Sequence, residues 1–126
     1  MSMRTPLARV KGLGAAKEGV GHWWHQRLTA LALVPLTVWF CLAIARLPGS
    51  DHATLVAWIA APFNAVLLVA LIIAGLYHGY LGVQVVLEDY VHPHWARTTL
   101  IVVSGFGAFL LALGAIFVVL QLAFEN

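Results

Sequence analysis

The sequence predicts an all-α membrane protein with three transmembrane helices. Of its 126 residues, 62% are hydrophobic and only 10% are charged, and the mean hydropathy is +0.91. That composition is typical of membrane proteins rather than of soluble domains. Three stretches lack Asp, Glu, Lys and Arg for long enough to cross a bilayer, namely residues 28–45, 63–87 and 98–124.

The three predicted spans leave no room for a soluble catalytic domain. We expect one membrane-anchor domain over residues 1–126, in which a cytoplasmic tail (1–26) is followed by spans at about 27–46, 63–88 and 98–124. The first apolar run is longer than the core of a usual signal peptide, so we expect it to be retained.

The distribution of basic residues predicts the orientation of the helices. The first span is preceded by Arg4, Arg9, Lys11, Lys17 and Arg27, whereas each later connection holds one arginine. Because cytoplasmic segments of membrane proteins are enriched in Lys and Arg, we place the N-terminus in the cytoplasm and the C-terminus in the periplasm. The net charge of +2 follows from this juxtamembrane cluster and does not indicate nucleic-acid binding.

Aromatic and turn residues predict the shorter elements. Trp23 and Trp24 precede the first span and fit an anchor at the headgroup level. Residues 47–51 form a turn by composition, and residues 53–60 fit a short interfacial helix. Pro62 suits the first turn of the second long helix, where its missing N–H would have no helical partner.

Small residues and the cysteine content bear on packing and on cofactors. The third span carries Ser104, Ala108 and Ala112 at a spacing of four, and small residues at that spacing let membrane helices approach closely. The single cysteine, Cys41, excludes an internal disulfide and a cysteine-ligated iron–sulfur cluster.

His78 is the most informative residue, because it lies inside a run without charged residues that extends from His52 to Leu87. A histidine within an apolar span is costly and usually functional. Asp89 follows eleven residues later, so both side chains share one helix face about 16 Å apart along the axis. That face carries His78, a residue type that commonly ligates metals, within the span. Near the water boundary it carries the Asp89 carboxylate, which Tyr90 follows.

Two interpretations of His78 remain open from helix geometry. Gly75 and Gly82 leave space beside the imidazole, as a flat macrocycle coordinated by the histidine requires. Alternatively, His78 is a hydrogen-bonded packing residue, and Gly75 and Gly79 form a contact of small residues with another helix. If a haem is bound, its second axial ligand must come from another chain, because the other five histidines fall outside the predicted spans.

The predicted topology gathers polar groups on the cytoplasmic side. A Tyr90 hydroxyl there can donate to a quinone carbonyl, and Asp89 can pair with a cation or relay protons. Arg27 can neutralise a carboxylate such as a haem propionate. The alternatives are that Tyr90 belongs to the interfacial aromatic belt, that Arg27 only determines topology, and that Glu88 is a solvated helix cap.

The segment from His78 to Tyr90, HGYLGVQVVLEDY, resembles the hydrophobic membrane anchor (D) subunit of bacterial succinate dehydrogenase. That family shows a histidine, a glycine four residues on, and Asp-Tyr eleven and twelve residues on. The segment from His22 to Pro35, HWWHQRLTALALVP, is similar to the entry of the family's first helix. The entry motif of the companion C subunit is absent.

This resemblance implies a role in complex II of the bacterial inner membrane. There the chain would be a non-catalytic-core subunit of a succinate:quinone oxidoreductase. Its partners would be the flavoprotein subunit (A), the iron–sulfur subunit (B) and the companion cytochrome b anchor subunit (C). The two anchors would share one haem b and help to form the site of ubiquinone reduction, which couples the tricarboxylic acid cycle to respiratory electron transport.

By position, the resemblance also assigns individual residues. His78 matches the axial ligand of the haem iron, and Tyr90 matches the tyrosine that hydrogen-bonds the quinone, with Asp89 as the neighbouring carboxylate. Arg27 matches an arginine close to the haem propionates and the quinone, and His22 matches a residue near the haem. A fumarate reductase anchor and a non-catalytic structural membrane protein are the alternatives.

Overall fold

The computed structural model describes residues 5–10 and 19–125, and this part of the chain is built from helices. In chain order they are α1 (Pro6–Val10), α2 (Gly19–Ile44), α3 (His52–Ala60), α4 (Pro62–Tyr90) and α5 (His94–Glu125). Helices α2, α4 and α5 are long and apolar enough to cross a membrane. The prediction of an all-α membrane protein with three spans is therefore confirmed, whereas the direction in which the chain crosses the membrane stays a prediction.

Two of the long helices begin earlier than the predicted spans. Helix α2 begins at Gly19 rather than at residue 27, so His22 and His25 lie within the helix and not before it. The predicted span began at Arg27, the last charged residue before the apolar run, and the point at which α2 enters the membrane stays a prediction. Helix α5 begins at His94 rather than at residue 98.

The short elements follow the sequence prediction closely. The turn at residues 47–51 contains Gly49 at φ 82°, a left-handed conformation that glycine adopts without steric cost. Asp51 caps α3, since its Oδ1 accepts a hydrogen bond of 2.9 Å from the Thr54 N–H. Hydrogen bonds from the Thr54 hydroxyl and backbone hold the pKa of Asp51 below its ordinary value of 3.8. Pro62 occupies the first turn of α4, as predicted.

Helix α4 is the centre of the described fold, because it packs against α2, α3 and α5. Within the described residues, the backbones of α2 and α5 each come close to α4 and not to each other. Contacts pair the first half of α2 with the second half of α4, so these two helices run antiparallel. We call the end where α2 begins and α4 ends the Arg27 end, and the opposite end the Arg46 end.

The described chain has almost no core of its own. Its buried hydrophobic residues are Ala65, Leu81 and Val119. Across the α4–α5 contact, Tyr80 covers Gly105, where an added Cβ would lie 3.2 Å from the Tyr80 ring. At the Arg46 end, the Trp39 and Trp58 rings stack with centroids 6.0 Å apart. Most of the apolar surface therefore faces lipid or another protein.

Candidate functional site

The functional site is centred on a hydrogen bond that joins α2 to α4. The Thr29 hydroxyl oxygen lies 3.0 Å from His78 Nδ1, and both side chains are half-buried. The same oxygen lies 2.8 Å from the His25 carbonyl oxygen and 3.1 Å from that of Gln26. A threonine on a helix reaches these carbonyls by bonding back to the preceding turn.

These contacts are compatible with one tautomer that leaves Nε2 free. When the Thr29 hydroxyl donates its proton to a backbone carbonyl, its oxygen can accept a hydrogen bond from the ring. A proton on Nδ1 then bonds to Thr29, and the lone pair is on Nε2. Nε2 has no hydrogen-bond partner among the described residues and is not a buried atom, so it reaches the surface of the chain.

The glycines near His78 serve the contact between α2 and α4. A Cβ added to Gly75 would lie 3.9 Å from the Leu33 side chain, and one added to Gly82 would lie 3.8 Å from Nε2 of the Gln26 side chain. The spaces expected beside the imidazole are thus faced by side chains of α2. The open position is Gly79, where an added Cβ would meet nothing within 4 Å.

A second layer of polar groups lies beside the Thr29–His78 pair. The Tyr77 hydroxyl is 3.0 Å from His25 Nδ1, which is a second hydrogen bond between the two helices. His22 Nε2 and Gln26 Oε1 are buried and have no hydrogen-bond partner among the described residues. An unsatisfied buried polar atom costs about 1–3 kcal/mol. Both atoms are enclosed by the chain itself, so a cofactor or subunit would reach them only if neighbouring side chains moved.

The donor set fits a haem rather than a metal held by protein side chains alone. The described residues contain no group of three or more His, Cys, Asp or Glu that could hold a metal ion. A haem iron needs only one axial nitrogen from this chain, and His78 presents Nε2 with its lone pair free.

Arg27 lies on α2 close to these residues, with its side chain exposed. The guanidinium carbon is 5.6 Å from the centroid of the Trp23 ring, a distance at which a cation and an aromatic face attract each other. Trp23 in turn stacks on Trp24, with ring centroids 6.3 Å apart. The guanidinium is therefore held beside an aromatic platform with its N–H donors available to an anion.

Asp89 and Tyr90 are the last two residues of α4, and both are exposed, Tyr90 by 77%. Neither makes a hydrogen bond or ion pair with another described residue. Glu88 accepts a hydrogen bond from Gln84 and is solvated, as its interpretation as a cap requires. Within the described residues, no direct contact joins Arg27, Asp89 and Tyr90, although all three lie toward the Arg27 end.

Sequence reasoning missed Thr29, Gln26 and Tyr77. Residues 22, 26 and 29 recur at helical spacing and form a polar stripe on α2. Leu33 follows on the same helix face. That signal was overlooked because the predicted span began at Arg27, which removed the first half of the stripe from the helix. Tyr77 gave no periodic signal, since its contact with His25 depends on how α2 and α4 are aligned.

Comparisons with known proteins agree with the sequence resemblance. Residues 1–120 match the family described as succinate dehydrogenase/fumarate reductase transmembrane subunit. The chain is 35% identical over 101 residues to the succinate dehydrogenase hydrophobic membrane anchor subunit of Rickettsia conorii, covering 79% of this chain and 80% of that protein. The identity is 36% over 99 residues to the Rickettsia bellii subunit of the same name, covering 79% of each chain.

A third relative gives the same result. The hydrophobic membrane anchor subunit of succinate dehydrogenase from Paracoccus denitrificans is 35% identical over 86 residues, which cover 68% of this chain and 67% of that protein. The family match over residues 1–120 includes most of the three apolar helices, so that similarity concerns the whole membrane domain and not one motif. The chain belongs to the succinate dehydrogenase/fumarate reductase transmembrane subunit family and is a multi-pass membrane anchor subunit of succinate dehydrogenase.

Proposed function

We propose that, within succinate dehydrogenase, this anchor ligates the iron of a b-type haem through His78 Nε2. The observation that carries the proposal is the 3.0 Å hydrogen bond between the Thr29 hydroxyl and His78 Nδ1, which engages that ring nitrogen and leaves Nε2 without a partner at the surface of the described chain. The second axial ligand would be a histidine of the companion anchor subunit. When bound, a b-type haem supplies a one-electron redox centre.

Other residues of the chain would hold the polar edge of the haem. Arg27 carries a permanent positive charge, and its exposed guanidinium can form charge-assisted hydrogen bonds with a propionate carboxylate. His22 lies on α2 in the turns that also hold Gln26 and Thr29, next to the contact with His78. It therefore keeps its proposed place in the vicinity of the haem.

We propose that Tyr90 and Asp89 contribute to the ubiquinone site. The exposed Tyr90 hydroxyl can donate a hydrogen bond to a quinone carbonyl oxygen and so orient the ring. Reduction of the quinone to a quinol consumes two protons, and the exposed Asp89 carboxylate beside Tyr90 is placed to accept protons from water and pass them on. Both residues have unoccupied hydrogen-bonding capacity in the described chain.

The partners we propose are the companion cytochrome b anchor, the iron–sulfur subunit and the flavoprotein subunit. This chain alone has three buried hydrophobic residues in its described part and two buried polar atoms without partners. Both features indicate a surface that is completed by other subunits. The flavoprotein would oxidise succinate, and the iron–sulfur subunit would deliver the electrons to the quinone at the membrane.

Purification through an affinity tag on this chain tests the proposal. We expect four different subunits in the complex, succinate-dependent reduction of ubiquinone, and a redox difference spectrum of one low-spin b-type haem per complex. A complex of the four subunits without haem would overturn the ligand role of His78. Recovery of this chain without flavoprotein and iron–sulfur subunits would favour a purely structural membrane protein.

A further inference from the structure

We infer that Thr29 is a positioning residue for His78, in that its hydroxyl selects the ring tautomer and holds the ring orientation with which Nε2 faces the iron. This inference rests on the proposed ligation of haem by His78. It assigns a function to a hydroxyl 49 residues away in the chain, on a different helix.

The selection of the tautomer follows from the contacts of one oxygen atom. Thr29 Oγ1 lies 2.8 Å and 3.1 Å from two backbone carbonyl oxygens, which can only accept hydrogen bonds. The hydroxyl proton can be donated to either carbonyl, and the oxygen then offers a lone pair toward His78. In that arrangement a protonated Nδ1 completes the 3.0 Å contact as a hydrogen bond, so it favours the Nδ1–H form that leaves Nε2 free for the iron.

The orientation of the ring follows from the same contact. The terminal torsion of a histidine side chain has a broad energy minimum, so packing alone holds the ring plane weakly. The Thr29 hydroxyl is itself fixed, because it bonds back to the preceding turn of α2. Leu33 and Gln26 of α2 face Gly75 and Gly82 of α4 on either side of this hydrogen bond, where even an added Cβ would make only ordinary van der Waals contact.

A hydrogen bond from Nδ1–H raises the basicity of Nε2 and so favours the oxidised iron. Loss of the Thr29 hydroxyl should therefore raise the midpoint potential of the haem. A neutral hydrogen bond corresponds to a shift of about three- to tenfold in the ratio of oxidised to reduced haem. Because a tenfold change is about 59 mV for one electron, the expected rise is about 30–60 mV.

The test compares Thr29→Val, which keeps the shape and removes the hydroxyl, with Thr29→Ser, which keeps the hydroxyl and removes the methyl group. Both variants are made in the full complex, and the haem content, midpoint potential and low-spin electron paramagnetic resonance spectrum are measured. We expect Thr29→Val to raise the potential and change the spectrum, and Thr29→Ser to resemble the wild type. Thr99→Val is the matched control, because Thr99 makes the same bond to a carbonyl four residues back without contacting a histidine.

Several outcomes would overturn the inference. Equal shifts in Thr29→Val and Thr29→Ser would show that the effect does not come from loss of the hydroxyl, since serine keeps it, and an unchanged potential in Thr29→Val would exclude the hydroxyl. A wild-type complex without haem would instead refute the proposed function itself. If Thr29→Val does not assemble, pulsed resonance on wild-type complex labelled with ¹⁵N-histidine decides, because an unprotonated remote nitrogen on the axial ligand would contradict the inferred tautomer.

Discussion

At the scale of single residues, polar groups within the apolar helices are few and placed where helices meet. Thr29 and His78 satisfy one another across the α2–α4 contact, and Tyr77 and His25 do the same beside them. In a bilayer core, a polar side chain without a partner is expensive, so each of these groups needs a structural or functional reason. Nε2 of His78 is the ring nitrogen left over after these pairings, which is why it is the candidate for the iron.

The role of Tyr90 is a prediction at this same scale. Tyr90→Phe removes one hydrogen bond to a neutral acceptor, worth about 0.5–1.5 kcal/mol, so ubiquinone reduction should fall about two- to tenfold. Succinate oxidation by a soluble artificial acceptor that bypasses the membrane should be unaffected. The ratio of these two activities is the quantity to measure.

Tyr80→Phe is the matched control for that measurement, because the Tyr80 ring packs on Gly105 of α5 rather than at the end of α4. We expect it to leave the ratio unchanged. A parallel loss of both activities in Tyr90→Phe would point to a defect of assembly, and no loss at all would make Tyr90 a residue of the interfacial belt.

At the scale of helices, Asp51 caps the N-terminus of α3 by a local hydrogen bond, and the stability of this cap should depend on pH. Asp51→Ala should increase amide hydrogen exchange in the first turn of α3, whereas Asp51→Asn should retain protection, because asparagine also caps helices. The lowered pKa of Asp51 means that the ionised form stabilises the folded state. Its contribution is complete above the unfolded pKa of 3.8 and is lost as the pH falls through the lower folded value.

Hydrogen exchange as a function of pH checks this prediction. In the wild type, protection of the first turn of α3 should decline only below about pH 4, and in Asp51→Asn the decline should be absent. Equal protection in Asp51→Ala and in the wild type would show that packing against α4 and α5, rather than the cap, holds α3 in place.

Packing between α4 and α5 gives a second prediction for the helices. Gly105→Val inserts a side chain where Tyr80 is already within 3.2 Å of an added Cβ, and such overpacking typically costs about 1–3 kcal/mol. The thermal midpoint of the complex should fall. Gly107→Val is the comparison, since an added Cβ at Gly107 meets nothing within 4 Å. Equal midpoints in the two variants would contradict the close contact.

The helices were predictable from sequence, but the pairing of their side chains was not. Charge-free windows located α2, α4 and α5, and the segment from Pro48 to Asp51 located the turn before α3. Helix α2 begins at Gly19, before Arg27, which marked the start of the predicted span. Thr29 escaped notice because it lies 49 residues before His78 in the chain, and the two meet only through the alignment of α2 with α4.

Within the site as well, His78 and the end of α4 could be found from sequence, whereas the contacts of His78 with other helices could not. The isolation of His78 and its spacing to Asp89 and Tyr90 are properties of one helix, so periodicity was sufficient to find them. The tautomer of His78 depends on Thr29, and the unpartnered atoms of His22 and Gln26 depend on packing against α4. Such properties arise from tertiary contacts and have no local sequence signal.

At the scale of the whole molecule, the helices bury little between them. The buried hydrophobic residues of the described part are Ala65, Leu81 and Val119, and the three long helices keep broad exposed apolar faces. We expect the chain expressed alone to aggregate or be degraded, and co-expression with the companion anchor to restore its accumulation in the membrane. A stable, haem-loaded single chain in detergent would contradict this expectation.

The central claim is that His78 holds the haem iron of the assembled complex. The most direct measurement is the dithionite-minus-oxidised absorbance spectrum of the complex with His78→Leu, compared with His52→Leu, which removes an exposed histidine at the Arg46 end. We predict that the low-spin b-type spectrum is lost or strongly altered in His78→Leu and unchanged in His52→Leu. An unaltered spectrum and midpoint potential in His78→Leu would contradict the account.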